Sequence, residues 1–169
     1  MVIFCNFDIL LTTYSLMKLY GIDYTERMRT IVASGTRYKL VVMRSQKAVE
    51  EKALNVGIEL AKAISGIGKQ YGKMGEVKFR MEVAEALERI IMGKMFVDED
   101  LGEVVVLENL GILFESELGI DVLRLLKKVS KMALTVLLWP GEIGEDRIYF
   151  LNLESGIALK QTDINYITI

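Results

Sequence analysis

The chain has 169 residues, 51% of them hydrophobic and 26% charged, with one proline and a formal net charge of −2. That is room for one domain with a real core, and it excludes both a disordered chain and a global basic field that would recruit nucleic acid. Histidine is absent and Cys5 is the single cysteine, which excludes an intrachain disulfide and any His-based general base, triad or zinc site supplied by this chain alone.

One cysteine suits a reducing, cytoplasmic setting. A metal, if bound, would be held by carboxylates, which favour Mg²⁺ over Zn²⁺. The first segment, MVIFCNFDILLTTYSLMKLYGI, is apolar but lacks a basic leader and a small-residue cleavage site. It therefore reads as a core or interface segment, not as a signal peptide. Asn6, Asp8 and Lys18 also make it a poor membrane span. Residues 1–36 are expected to form a helical N-terminal addition, with helices near 8–20 and 24–34.

Residues 37–155 are expected to form an α/β core. Its first strand is KLVVM (39–43). A helix is expected over about 48–65, with Leu54, Ile58, Ala61 and Ile64 on one stripe. SGIGKQYGKMGE (65–76) reads as a mobile loop carrying Lys69, Tyr71 and Lys73, with Lys78 just beyond. A second amphipathic helix runs from Arg80 to about Gly93, with Val83, Leu87, Ile90 and Ile91 inward. VVVL (104–107) and TVLLW (135–139) are the next strands. Like KLVVM they are apolar without period-two alternation, the pattern of a parallel sheet covered on both faces. Between them IDVLRLLKKVSK (120–131) places Val122, Leu125, Leu126 and Val129 on one helical face. RIYFLNL (147–153) is a further strand after the Pro140–Gly141 turn, and 156–169 is an edge strand or a tail. The alternation argues for one three-layer α/β/α domain with a mainly parallel sheet.

Four features offer chemistry. VVVL runs into Glu108 and Asn109. In open parallel sheets ligands sit beyond the carboxyl ends of the strands. An acid there can hold hydrated Mg²⁺ or orient water for phosphoryl transfer, as in a Walker B element. Equally, a buried strand ends in polar residues wherever it meets water. A phosphate loop should follow the first strand, but KLVVM is followed by RSQKAVEEKA, with no glycine between Tyr38 and Gly57. Ser45, Gln46 and Lys47 offer a hydroxyl, an amide and a charge, but not the converging backbone N–H groups that glycines permit. Trp139, at the presumed ligand edge, is either a stacking platform for a base or a core plug or partner anchor. Arg124, Lys127, Lys128 and Lys131, with the lysines of the glycine stretch, form a basic set. The acidic balance of the chain favours a solvated face over a phosphate-backbone site. No carboxylate pair has glycosidase spacing, and no serine sits in a GxSxG elbow.

The stretch VVVLENLGILFESELGIDVLRLLKKVSKMALTVLLWPGE resembles the small P-loop protein family BrxF of type-three BREX phage-defence systems. The matching pieces are Glu108–Asn109, Ile112–Leu113–Phe114, the Leu-rich helix from Leu123 to Ser130, and Trp139–Pro140–Gly141. LNVGIELAKAI (54–64) is also similar to the family segment that follows its second strand. The resemblance covers about residues 38–153. It implies a P-loop-NTPase-like fold with Glu108 at the Walker B position, where the family has Asp. The family's glycine-rich Lys-Ser/Thr loop has no counterpart here.

Three functional expectations follow. The first is a non-catalytic pseudo-NTPase of a phage-defence complex, acting by contacts with other defence proteins or with itself, and needing no cofactor. The second is an ATPase with an atypical loop, in which Ser45, Gln46 and Lys47 meet ATP and Glu108 meets Mg²⁺. The third is a DNA-binding accessory module using the basic set.

Overall fold

The structure, a computed structural model, describes residues 26–44, 53–68, 75–150, 157–164 and 166–168. These open in a helix, α1 (26–33). Then come β1 (Leu40–Arg44), β2 (Leu54–Asn55), α2 (Val56–Gly68), α3 (Glu76–Met92), β3 (Phe96–Asp98) and β4 (Gly102–Glu108). Two 3-10 turns, Leu110–Phe114 and Ser116–Leu118, lead to α4 (Val122–Met132) and β5 (Leu134–Trp139). The chain continues through β6 (Glu142–Ile143), β7 (Arg147–Phe150), β8 (Ile157–Lys160) and β9 (Ile167–Thr168).

The three apolar runs become the middle of one sheet, in the order β2-β4-β5-β1-β9. Every pair along that path is parallel, and β3 adds to β4 in the antiparallel sense. The runs lack alternation because both faces of each strand are buried. Leu40, Val42, Val105, Leu107, Leu137 and Trp139 point into a core shared with α2, α3 and α4. Their neighbours Val41, Met43, Val104, Val106, Val136 and Leu138 point into a second core with Met28 and Ile31 of α1. Period-two geometry thus divides a continuous apolar run between two layers of helix. Two buried hydroxyls in this region are satisfied locally. Ser130 donates to the Leu126 carbonyl at 2.6 Å and Thr135 to the Ala133 carbonyl at 3.2 Å.

α4 buries the stripe its periodicity predicts, Val122, Leu125, Leu126 and Val129. It starts at Val122 because Asp121 caps it, accepting from the Arg124 amide at 2.9 Å. α3 begins four residues before the expected Arg80, and Glu76 and Arg80 pair at 2.7 Å across its first turn.

Several expectations need correction. The helix expected from residue 48 begins at Val56, and Leu54–Asn55 is a strand. Its buried residues are accordingly Val56 and Leu60, while Ile58, expected inward, is 51% exposed. Residues 65–68 belong to α2 despite two glycines, so the glycine stretch is not one loop; its 69–74 portion lies outside the described residues. β7 does not join the parallel sheet. It forms a separate antiparallel sheet in the order β6-β7-β8. The C-terminal stretch divides between that small sheet and β9, which pairs with β1 at Val41↔Ile167 and Val42↔Thr168. The N-terminal helix expected at 8–20 lies outside the described residues.

Candidate functional site

Parallel strands end together, so the carboxyl edge of the sheet collects the ends of β1, β5, β4 and β2. Glu108 is the last residue of β4 and pairs with Asn55 at the end of β2. β1 ends at Arg44, opposite Trp139. Because β5 lies between β1 and β4, the ends of those two strands are roughly 10 Å apart, two strand spacings.

The side chains at the β2–β4 end form one closed polar junction. Asn55 donates from Nδ2 to Glu108 Oε1 at 3.0 Å. Its Oδ1 accepts from the Ile58 amide at 3.0 Å, which caps α2. The same oxygen accepts from Asn109 Nδ2 at 2.9 Å. Asn109 is in the left-handed region, at φ 52° and ψ 55°, and is the one non-glycine with positive φ among the described residues. Asparagine tolerates that conformation better than most residues. It turns the chain from β4 into the Leu110–Phe114 turn and aims the amide at β2.

The junction also explains Gly57. A Cβ there would lie 2.4 Å from Asn109 Nδ2 and 2.8 Å from its Cγ. The LNVG and ENLG stretches therefore interlock through a side chain on one and the lack of a side chain on the other. Gly57→Ala is expected to push Asn109 off Asn55 and destabilise the domain by about 1–2 kcal/mol, within the usual range for overpacking. Urea unfolding checks this. An Asn109→Gly background should recover part of the loss, because the colliding amide is then absent.

Chemically, Glu108 is a partly buried carboxylate with one oxygen already engaged by an amide. Among the described residues no group of three or more Asp, Glu or Cys side chains converges as a metal site. Ser45, Gln46 and Lys47 lie outside the described residues. Their neighbours fix one thing, however: residues 45–53 must connect β1 to β2. Both ends of that connection are at the carboxyl edge, since β2 pairs only with Leu107 and Glu108. Residues 45–53 hold no glycine, so the residue type that lets backbone N–H groups close around a phosphate is missing from this connection.

Trp139 is a core plug. It is 1% exposed and donates from Nε1 to the Tyr149 carbonyl at 2.8 Å. It packs edge-on against Phe114 and Phe150, whose own rings stack at 5.0 Å. No face of the indole is open to a base, which removes the stacking reading.

The structure brings the four cations of α4 together along one groove. Lys128 is drawn to α3, where it pairs with Glu88 at 2.6 Å. Arg124, Lys127, Lys128 and Lys131 line a groove with Tyr38. Tyr38 precedes β1, so the groove reaches the amino edge of the sheet at its Lys131 end; Glu108 does not line it. Lys78, expected in the glycine loop, is instead on α3.

Asn55, Gly57 and Tyr38 are not evident as site residues from the strand and helix pattern. An Asn directly before an apolar helical run is a capping signal, and that signal was legible at Asn55. No family model, no curated protein and no solved structure matches this chain. Among the described residues no helix is long and apolar enough to cross a membrane.

Proposed function

We propose that this chain is a P-loop-NTPase-like domain that has lost its triphosphate cradle and works as a non-catalytic scaffold. Its partners would be the other proteins of a phage-defence complex, or further copies of itself. The resemblance to the BrxF family motivates the biological setting.

The observation that carries the reading is the connection from β1 to β2. It spans only residues 45–53, holds no glycine, and begins and ends at the carboxyl edge. A triphosphate needs several backbone N–H groups converging on it, and the glycines that allow such closure are missing. One oxygen of the acid that would attend the metal is also engaged. Glu108 is bound to Asn55, which simultaneously caps α2 and holds Asn109. The junction makes Glu108 a structural tie between β4 and β2. ATP–Mg²⁺ does not fit the residues present, and no hydrolytic step is assigned to them.

The alternative ATPase would need Lys47 and Ser45 on phosphate and Glu108 on Mg²⁺ or its water. Glu108→Gln separates the two readings. A glutamine oxygen can still accept from Asn55, so the fold should be retained within about 1 kcal/mol. Phosphate release from ATP–Mg²⁺ should sit at background in both the parent chain and the variant. Turnover in the parent chain that Glu108→Gln abolishes would reverse the proposal.

A further inference from the structure

The strongest unassigned surface is the groove around Tyr38. Two shallow grooves meet there. One is lined by Tyr38, Leu123, Arg124, Lys127, Lys128 and Lys131 along α4. The other runs past Arg37, Tyr38 and Lys127 toward Thr162 and Asp163. Arg37 reaches over the Tyr38 ring at 5.5 Å and Lys131 reaches it at 5.7 Å. The aromatic ring thus fixes two cations from different segments beside each other.

Arg37, Arg124, Lys127 and Lys131 have no carboxylate partner among the described residues, whereas Lys128, on the flank of the same helix, pairs with Glu88. The groove is not free of acid. Asp121 and Asp163 lie in it, but Asp121 has an oxygen committed to capping α4. Four cations without a carboxylate partner, gathered along two adjoining grooves, are a departure from the chain's acidic balance of −2. From Arg124 to Lys131 the helix rises roughly 10 Å, about the axial length of three phosphates on one strand of a duplex.

We infer that this groove binds the phosphate backbone of a nucleic acid, without reading its sequence. The geometry favours backbone contact over base stacking, because the Tyr38 ring is already attended by Arg37 and Lys131. A linear row of point charges suits a linear polyanion. Glu108 does not line either groove, and the inference does not depend on whether nucleotide is bound there.

The test is fluorescence anisotropy of a labelled 20-base-pair duplex of arbitrary sequence, titrated with the full chain at several KCl concentrations. Four neutralised phosphates give a slope of log Kobs against log salt of about −3.6. Affinity should therefore fall by roughly a hundredfold between 50 and 200 mM KCl. Lys127→Gln with Lys131→Gln should lower the magnitude of the slope by about 2. Lys94→Gln, on an exposed turn after α3, should leave it unchanged. Circular dichroism of each variant confirms that the fold is intact, and Arg124→Gln alone gives a second measure, lowering the slope by about 1. Absence of duplex binding at 50 mM KCl would overturn the inference. So would equal affinity for poly-glutamate of matched charge, which would indicate an acidic protein partner, or a slope that Lys94→Gln changes as much as the groove variants do.

Discussion

Trp139→Ala is expected to remove about 3–5 kcal/mol of folding stability, a large share of the 5–15 kcal/mol typical of a domain. The indole is buried where β5, the Leu110–Phe114 turn and β7 converge. Truncation leaves a cavity beside the stacked Phe114 and Phe150 rings and takes the donor from the Tyr149 carbonyl. Trp139→Phe divides the two contributions. It keeps most of the ring packing and loses the hydrogen bond, so it should cost less, on the order of 1–2 kcal/mol. Urea denaturation followed by far-UV circular dichroism reads both. If Trp139→Ala costs under about 1 kcal/mol, the indole is not the plug that joins the small antiparallel sheet to the parallel one.

Gly141→Ala should be nearly as damaging, through a different mechanism. A Cβ at Gly141 would lie 1.9 Å from the Tyr149 carbonyl oxygen and 3.0 Å from its carbon. The colliding atoms are backbone, in the strand that pairs with β6 through Glu142↔Tyr149. Relief requires the β6–β7 pairing to open or the Tyr149 carbonyl to turn away from Trp139. A loss of about 3 kcal/mol, at the upper end of ordinary overpacking, is expected. The contrast with Gly57→Ala is informative. There the obstacle is chiefly the Asn109 side chain, which can move, so the effect is smaller. The two glycines should rank Gly141 above Gly57 in the same unfolding assay. The opposite order would mean that the hairpin after Pro140 yields easily and that the Asn55–Asn109 junction does not.

Much of the fold was legible because burial on both faces leaves a plain mark. KLVVM, VVVL and TVLLW are short, apolar and without alternation, and all three are central parallel strands. α4 was legible for the complementary reason: one face is buried and the other carries Arg124, Lys127, Lys128 and Lys131. The α2 boundary was not. Leu54 continues an apolar helical stripe on paper, but Asn55 caps the helix and sheet pairing takes Leu54 opposite Leu107. Local periodicity carries no information about that pairing. Which sheet β7 joins was not legible, for a similar reason. Its residues are strand-forming in either sheet, and only the hairpin with β8 shows which one they join.

The candidate site divides the same way. Glu108 at a strand end was evident, since a charge terminates an apolar run. Its attachment to Asn55 depends on two strands meeting that are far apart in the chain, and on Gly57 leaving space for Asn109. The groove at Tyr38 likewise needs Arg37 and α4 to converge from distant segments. A helix face carrying four cations reads as merely solvated until the second segment is seen beside it.

Isothermal titration of the full chain with ATP–Mg²⁺ measures most directly whether a triphosphate cradle remains between β1 and β2. No saturable heat is expected at any ATP concentration up to the millimolar range, with the parent chain or with Lys47→Ala. Saturable binding with a micromolar Kd that Lys47→Ala abolishes would mean that residues 45–53 do enclose a phosphate chain, and the domain would then be a nucleotide-binding protein and not a scaffold.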